Sequence, residues 1–164
     1  MKLILFVVLA MSFLGAGCAL QRTNDARLHE AQLEALIEES VQAMFEKDID
    51  RILRDMAPEW QGTLTLDAYG TAHTQVFGRN DYAAYLEMMF HFGEYVSVSL
   101  TNVVIDIAQD GQSAKISSEL YQKFRFQDQM IHSHGITTNI VQLMNQSPMA
   151  VKTETFARYL DPVP

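Results

Sequence analysis

The sequence of residues 96–160 is VSVSLTNVVIDIAQDGQSAKISSELYQKFRFQDQMIHSHGITTNIVQLMNQSPMAVKTETFARYL, and it contains four long runs of alternating apolar and polar residues. The runs cover residues 96–107, 114–126, 130–144 and 149–160, and short polar segments separate them. Alternation with a period of two is typical of strands that are buried on one face. The four runs therefore predict an antiparallel sheet whose strands are joined by hairpins.

The segment between the first two runs contains Asp110-Gly111, and Asp-Gly between two runs of β-formers is a strong hairpin signal. A turn there sets Ile107 opposite Ala114. The apolar residues of the first run change from even to odd positions near Asn102, so both halves can face the core only if one residue is inserted. We predict a β-bulge at Thr101-Asn102.

The third run is ambiguous, because its apolar residues occupy both even and odd positions. A three-residue loop at 127–129 would set Leu120 opposite Ile136, and a loop at 145–148 would set Ile136 opposite Ala157. Both loops predict that the even-numbered residues of the third run face the core. A one-residue error in this register would move those side chains to the other face.

This register predicts a polar cluster at one end of the inner face of the sheet, made of Gln122, His132, His134 and Tyr159. The other end of that face is aliphatic. Phe124 of the second run points to the same interior. Polar groups at the mouth of an apolar concave surface are typical of a small-ligand site.

The residues before the sheet have the period of helices. One apolar stripe runs from Leu33 to Phe45, and a second short helix starts at Ile49 and is closed by Pro58. Residues 60–67 and 71–77 are predicted to form a short hairpin. A third helix is predicted after Gly78, with Asn80 or Asp81 as its N-cap.

The chain begins with Lys2, an apolar run at residues 3–14, and small residues before Cys18. The apolar run is too short for a membrane-spanning helix. The segment resembles a bacterial lipoprotein signal, which implies a signal peptide at 1–17, lipidation of Cys18, a tether at 18–27, one domain at 28–160 and a tail at 161–164. An ordinary secretory peptide is the alternative. Cys18 is the only cysteine, so no intramolecular disulfide can form.

The sequence is acidic, with a net charge of −8. Removal of residues 1–17 would remove Lys2 and no acid, leaving 20 acids against 11 bases, a net charge of about −9. This balance argues against nucleic acid or an anionic membrane surface as a partner. Any membrane attachment is expected through the lipid anchor alone, in the bacterial cell envelope and facing the periplasm; the alternative is a secreted or soluble periplasmic protein.

The order of two helices, a hairpin, a helix and four strands resembles the NTF2-like superfamily, which includes SnoaL-type cyclases and ketosteroid isomerase. The likeness is carried by MFEKDID at 44–50, MAPEW at 56–60, GRNDY at 78–82 and the four closing strands, and it covers residues 27–160. It implies an α+β cone in which three N-terminal helices pack on a strongly curved antiparallel sheet of four long strands plus a short hairpin. It also implies an internal pocket and a homodimer through the outer face of the sheet.

The resemblance to enzymes of this superfamily implies a base, and a hydrogen-bond donor to an oxyanion, inside the cone. His134 or His132 is the candidate base and Tyr159 the candidate donor, with Asp67 and other side chains reaching in from the hairpin and the third helix. The predicted ligand-binding residues are Trp60, Tyr69, His73, Tyr85, Gln122 and Phe124. The helical spacing of the aromatic residues Tyr82, Tyr85, Phe90 and Phe92 is also typical of a packed core.

His132 and His134 could share a metal ion, but the predicted register supplies no third ligand of the kind that zinc requires. We therefore expect neither a metal nor a cofactor. The leading hypothesis is an envelope lipoprotein that binds a small, largely apolar ligand, or a partner protein, without catalysis. The alternatives are a cofactor-free isomerase, dehydratase or cyclase with a histidine base, and a structural accessory that uses the outer sheet face.

Overall fold

The computed structural model describes residues 26–126 and 129–160. The predicted signal peptide, Cys18, nearly all of the predicted tether and the C-terminal tail lie outside the described residues. The elements, in chain order, are α1 (Glu30–Glu46), α2 (Ile49–Arg54), β1 (Met56–Ala68), β2 (Thr71–Gly78), α3 (Arg79–Phe92), β3 (Gly93–Ile107), β4 (Ser113–Phe126), β5 (Gln129–Met144) and β6 (Ser147–Leu160).

The strands form one six-stranded sheet in the order β2-β1-β6-β5-β4-β3. The predicted α+β class is confirmed. Two details of the prediction are wrong: β1 has 13 residues and is nearly as long as the four closing strands, and it pairs with β6 in parallel rather than antiparallel. No turn connects β1 to β6, so no local signal in the sequence could indicate this pairing.

The helix ends are held by specific hydrogen bonds. Asp48 caps α2 by accepting from the Arg51 backbone N–H at 3.1 Å. The N-cap of α3 is Gly78, whose N–H donates to the Asp81 carboxylate at 3.3 Å, so the predicted cap at Asn80 or Asp81 was wrong by two or three positions. Among the described helices, none is both long and apolar enough to cross a membrane.

The end of α1 is tied to the start of β3. Lys47 follows α1 in the left-handed region, with a φ of 56°. Its ammonium group donates to the carbonyl oxygens of Phe90 and Gly93 at 3.2 and 3.0 Å. The helix is thereby held against the sheet at its C-terminal end.

The predicted pairing of β3 with β4 is confirmed, with Ile107 opposite Ala114. The predicted β-bulge is confirmed as well, because the register shifts between Thr101 and Val104, and Asn102 has a φ of 50°. The bulge lets apolar residues from both halves of β3 face the core.

The predicted register of β5 is wrong. Phe126 pairs with Gln129, so two residues rather than three separate β4 from β5, and Leu120 lies opposite Gly135 rather than Ile136. His132 and His134 therefore lie opposite the outward-facing Lys123 and Tyr121. The odd-numbered residues of β5 face the core, and both histidines lie on the outer face.

A second difference occurs between β5 and β6. Met144 pairs with Ser147, and the intervening Asn145 and Gln146 have φ values of 51° and 69°, which are the positive angles that a type I′ hairpin turn requires. The expected loop was two residues longer. A register shift between Ile140 and Val141 then reduces the difference to one residue along the rest of β6. This one-residue difference compensates for the first one, so Tyr159 lies on the inner face as predicted.

Two hydrophobic clusters stabilise the domain. The first is made of Leu28, Leu33, Ala114, Ile116 and Val141, and it fills the end of the sheet near the β3–β4 turn. The second lies among the helices and is made of Ala43, Ile52, Leu86 and Phe90. The segment before α1 is fixed to the first cluster, because the Leu28 backbone N–H donates to the Gly111 carbonyl at 2.8 Å.

Gly135 allows the close approach of β5 and β6, and its substitution tests the register. A Cβ there would overlap the carbonyl oxygen of Phe156 and lie 2.7 Å from the Ala157 Cα. We expect Gly135→Ala to lower the free energy of unfolding by about 3 kcal/mol or more. Gly70→Ala, at a turn with no atom within 4 Å and a φ of 86°, should cost only about 1 kcal/mol. Urea titration followed by circular dichroism gives both values, and equal losses would contradict the register.

Candidate functional site

The inner face of the sheet and the helices line a partly open cavity of about 500 Å³. The size is typical of sites for small organic ligands. Its walls are mainly apolar. Representative lining residues are Leu36, Val41 and Met44 of α1, Leu64 and Leu66 of β1, Met89 of α3, Val98 and Leu100 of β3, Leu120 and Phe124 of β4, and Ile131 of β5.

A polar belt crosses this apolar wall on β5 and β6. From 131 to 141 in β5 and from 153 to 159 in β6 the odd-numbered residues face inward, and those with polar side chains are Ser133, Thr137, Asn139, Thr153, Thr155 and Tyr159. The hydroxyls of Thr137 and Thr155 are 3.1 Å apart, and Ser133 donates to the Gln122 side-chain oxygen at 3.3 Å. Burial of polar groups costs free energy unless they are hydrogen-bonded, and these pairs reduce that cost.

A relay of two hydrogen bonds joins β1, β6 and β5. The Trp60 indole N–H donates to the Thr153 hydroxyl oxygen at 3.0 Å, and that hydroxyl donates to the Asn139 Oδ1 at 2.8 Å. Trp60 is only 3% exposed. Its indole lies over Gly62, where a Cβ would come within 2.7 Å of the ring atom Cζ2. Glycine at this position therefore leaves room for the indole.

Four tyrosines form a phenol cluster in the cavity: Tyr82, Tyr85, Tyr95 and Tyr159. Burial raises the pKa of Tyr82, Tyr85 and Tyr95, and nearby phenols raise it further. The Tyr82 ring packs 5.0 Å from Trp60, measured between ring centroids. These three phenols stay protonated at neutral pH and can donate hydrogen bonds.

The described lining contains one carboxylate and no histidine, lysine or arginine. The carboxylate is Asp55, at the end of α2, and its oxygen lies 3.5 Å from the Arg54 Nε. Among the described residues, no group of three or more His, Cys, Asp or Glu side chains could hold a metal ion. The lining chemistry is therefore dominated by neutral donors and apolar surface.

The structure brings five of the predicted site residues together in the cavity, namely Trp60, Tyr85, Gln122, Phe124 and Tyr159. Tyr69 and His73 do not line it. Tyr69 is 74% exposed in the β1–β2 turn, and His73 is exposed on the edge strand β2. Asp67 is buried outside the cavity, where it accepts from the Arg158 Nε and the Gly70 N–H at 2.8 Å each.

The placement of His132 and His134 inside the cone was wrong, because the two-residue separation of β4 and β5 reverses the faces of β5. The His134 ring stacks on Tyr121 with centroids 4.3 Å apart, and its Nε2 lies 3.7 Å from Glu119. Glu119 accepts from the Asn102 amide and the Tyr121 hydroxyl at 3.0 and 3.1 Å, and these bonds lower the pKa of Glu119. The predicted homodimer through this outer face stays a prediction.

Three residues that line the cavity were not predicted as site residues: Asn139, Thr153 and Tyr95. The sequence contains a signal for Asn139, because Ser133, Thr137 and Asn139 share the odd positions of β5 with Ile131 and Val141. Polar residues among apolar ones on a buried face are typical of a site wall. The assumed register turned these side chains outward, so the signal was missed.

The fold of this chain is similar to the folds of several solved structures. The chain is similar to an NTF2-like protein from Cytophaga hutchinsonii, with a TM-score of 0.63 and 8% identity over 79% of this chain and 99% of that one. A ketosteroid isomerase-like protein from Erwinia carotovora atroseptica gives a TM-score of 0.57 and 12% identity over 80% and 96% of the two chains. An NTF2-like protein of unknown function from Pseudomonas putida gives 0.56 and 18% over 77% and 84%.

The protein has an NTF2-like fold. The sequence matches no protein-family model, and the search of curated proteins gave no match. The identities are low enough that the likeness establishes the NTF2-like fold and leaves the activity to be argued from the cavity.

The phenol cluster predicts a loss of stability at alkaline pH. Because the folded-state pKa of Tyr82, Tyr85 and Tyr95 is raised, their contribution is fully present below the unfolded-state value of about 10. Above it, the folded state holds more protons than the unfolded state, so the free energy of unfolding falls by up to about 1.4 kcal/mol per pH unit for each phenol.

We expect Tyr95→Phe to reduce this alkaline slope by about one phenol's contribution. The exposed Tyr69→Phe should leave it unchanged. Urea unfolding between pH 8 and pH 11 measures the slopes, and a Tyr95→Phe slope equal to that of the unsubstituted protein would contradict the assignment.

Proposed function

We propose that this protein binds a small, largely apolar ligand inside the NTF2-like cone and does not turn it over. The observation that carries the proposal is the cavity of about 500 Å³, whose walls are mainly apolar and whose polar groups, apart from the Asp55 carboxylate, are neutral. A site of this kind gains free energy from apolar burial and takes its specificity from a few placed hydrogen bonds.

The ionisable groups favour binding over catalysis. General acid–base catalysis needs a group that exchanges protons near the working pH. Burial raises the pKa of Tyr82, Tyr85 and Tyr95 away from neutrality, and the described lining holds no histidine. The one lining carboxylate, Asp55, lies beside the Arg54 guanidinium. The histidine-based isomerase, dehydratase or cyclase loses its candidate base, because His132 and His134 lie on the outer face.

Binding of the neutral dye N-phenyl-1-naphthylamine tests the proposal, since its fluorescence rises in apolar sites. Leu120 lines the cavity, and Leu120→Trp would fill part of it. We expect this variant to weaken dye binding at least about tenfold. The matched control is Tyr121→Trp, which adds the same ring on the outer face and should leave the affinity unchanged.

Equal affinity in Leu120→Trp and the unsubstituted protein would place the dye elsewhere and contradict the proposal. Turnover is tested separately, by extracting the bound ligand from protein purified from its native envelope and incubating it with fresh protein. Recovery of a chemically changed product would contradict binding without catalysis.

We also propose that the domain is held in the cell envelope by a lipid on Cys18. The sequence at 1–18 supports this, and so does the fixed position of Leu28, which leaves a short polar segment between the cysteine and the domain. Expression of the full chain with radiolabelled palmitate should label the protein, and Cys18→Ala should abolish the label. An unlabelled wild-type protein in the soluble periplasmic fraction would favour the ordinary secretory peptide.

A further inference from the structure

We propose that the ligand carries a neutral carbonyl-type oxygen, as in a ketone, ester or amide, and that this oxygen accepts a hydrogen bond from the side-chain amide of Asn139. This inference rests on the proposed ligand-binding function. It adds the chemical class of the ligand and names the residue that recognises it.

In the relay, the Asn139 amide presents its oxygen to the Thr153 hydroxyl. An indole N–H can only donate, so the Thr153 oxygen must accept from Trp60 at 3.0 Å. The Thr153 hydroxyl proton is then free to donate, and it does so to the Asn139 Oδ1 at 2.8 Å. The amide oxygen of Asn139 is thereby occupied by the protein.

The same orientation directs the Asn139 NH₂ group away from Thr153. An amide NH₂ has two donors, and no described residue accepts from this one. Asn139 lines the cavity, and its Nδ2 is not enclosed by protein. A donor that faces a mainly apolar cavity is stabilised by an acceptor on whatever fills that cavity.

The charge of the lining selects a neutral acceptor. The described lining residues include no lysine, arginine or histidine, so a ligand carboxylate or phosphate would be buried without a compensating cation. The one lining carboxylate, Asp55, lies beside Arg54. A carbonyl oxygen accepts hydrogen bonds without bringing a net charge into the cavity.

The relay is held rigidly at both of its ends. Trp60 is buried between Gly62 and Tyr82, and Asn139 sits on a central strand of the sheet. A donor that is fixed before binding loses little conformational freedom when the ligand arrives.

Two probes that differ only in the replacement of the carbonyl oxygen by a CH₂ group test the inference. They are 2-acetylnaphthalene, which has a C=O group, and 2-isopropenylnaphthalene, which has C=CH₂ in its place. Their dissociation constants are measured by competition with bound N-phenyl-1-naphthylamine, in the full-length protein and in Asn139→Leu. The ratio of the two constants is calculated for each protein. Because the difference in hydration between the probes is the same in every ratio, it cancels when the ratios are compared.

We expect the preference for the ketone over the hydrocarbon to fall about three- to tenfold in Asn139→Leu, as for the loss of one neutral hydrogen bond. Thr138→Leu is the matched control, because Thr138 is the preceding residue on the outer face, and its ratio should equal that of the unsubstituted protein. Asn139→Val repeats the test with a strong strand former if Asn139→Leu does not fold. Retained binding of the hydrocarbon reports that the cavity is intact.

The outcomes separate this inference from the proposed function. If both probes bind and the ratio is the same in the unsubstituted protein and the Asn139 variants, the inference is overturned and ligand binding stands. If neither probe displaces a dye that Leu120→Trp has shown to lie in the cavity, the inference is overturned and ligand binding stands. If the dye does not bind in the cavity, ligand binding fails, and the inference fails with it.

Discussion

The chemistry of the cavity depends on the register of β5 against its neighbours β4 and β6. Phe126 pairs with Gln129, and Met144 pairs with Ser147. Because successive side chains of a strand point to opposite faces, a shift of one residue would exchange the inner and outer sets. The observed register places hydroxyls and the Asn139 amide in the cavity, whereas the opposite register would place two imidazoles there.

The features that sequence could predict are those with local signals. The helical stripe of α1, the Asp-Gly turn and the change of parity near Asn102 each depend on residues close in the chain, and the structure confirms all three. The register of β5 could not be predicted, because its apolar residues occupy both faces and only loop length decides between them. The same physical limit applies to the parallel pairing of β1 with β6, which joins strands that no turn connects.

The outer face accommodates the histidines without giving them a role in the cavity. His134 stacks on Tyr121, and Glu119 lies beside both. The bulge in β3 contributes here too, since Asn102 donates to Glu119 across the strand pair. The bulge in this edge strand therefore has two effects. It lets apolar residues from both halves of β3 face the core, and it supplies a hydrogen-bond donor to the outer face.

Stability alone does not account for the interior. A core selected only for stability would be filled with aliphatic side chains, because cavities and unpaired polar groups both cost free energy. This cone instead keeps a cavity of about 500 Å³ and lines it with buried phenols and with Asn139, whose oxygen accepts from Thr153 and whose NH₂ has no acceptor among the described residues. Trp60 could have satisfied its N–H with Thr153 alone, yet the relay continues to Asn139 and orients its donors. This arrangement of polar groups is the one that the proposed ligand-binding function requires.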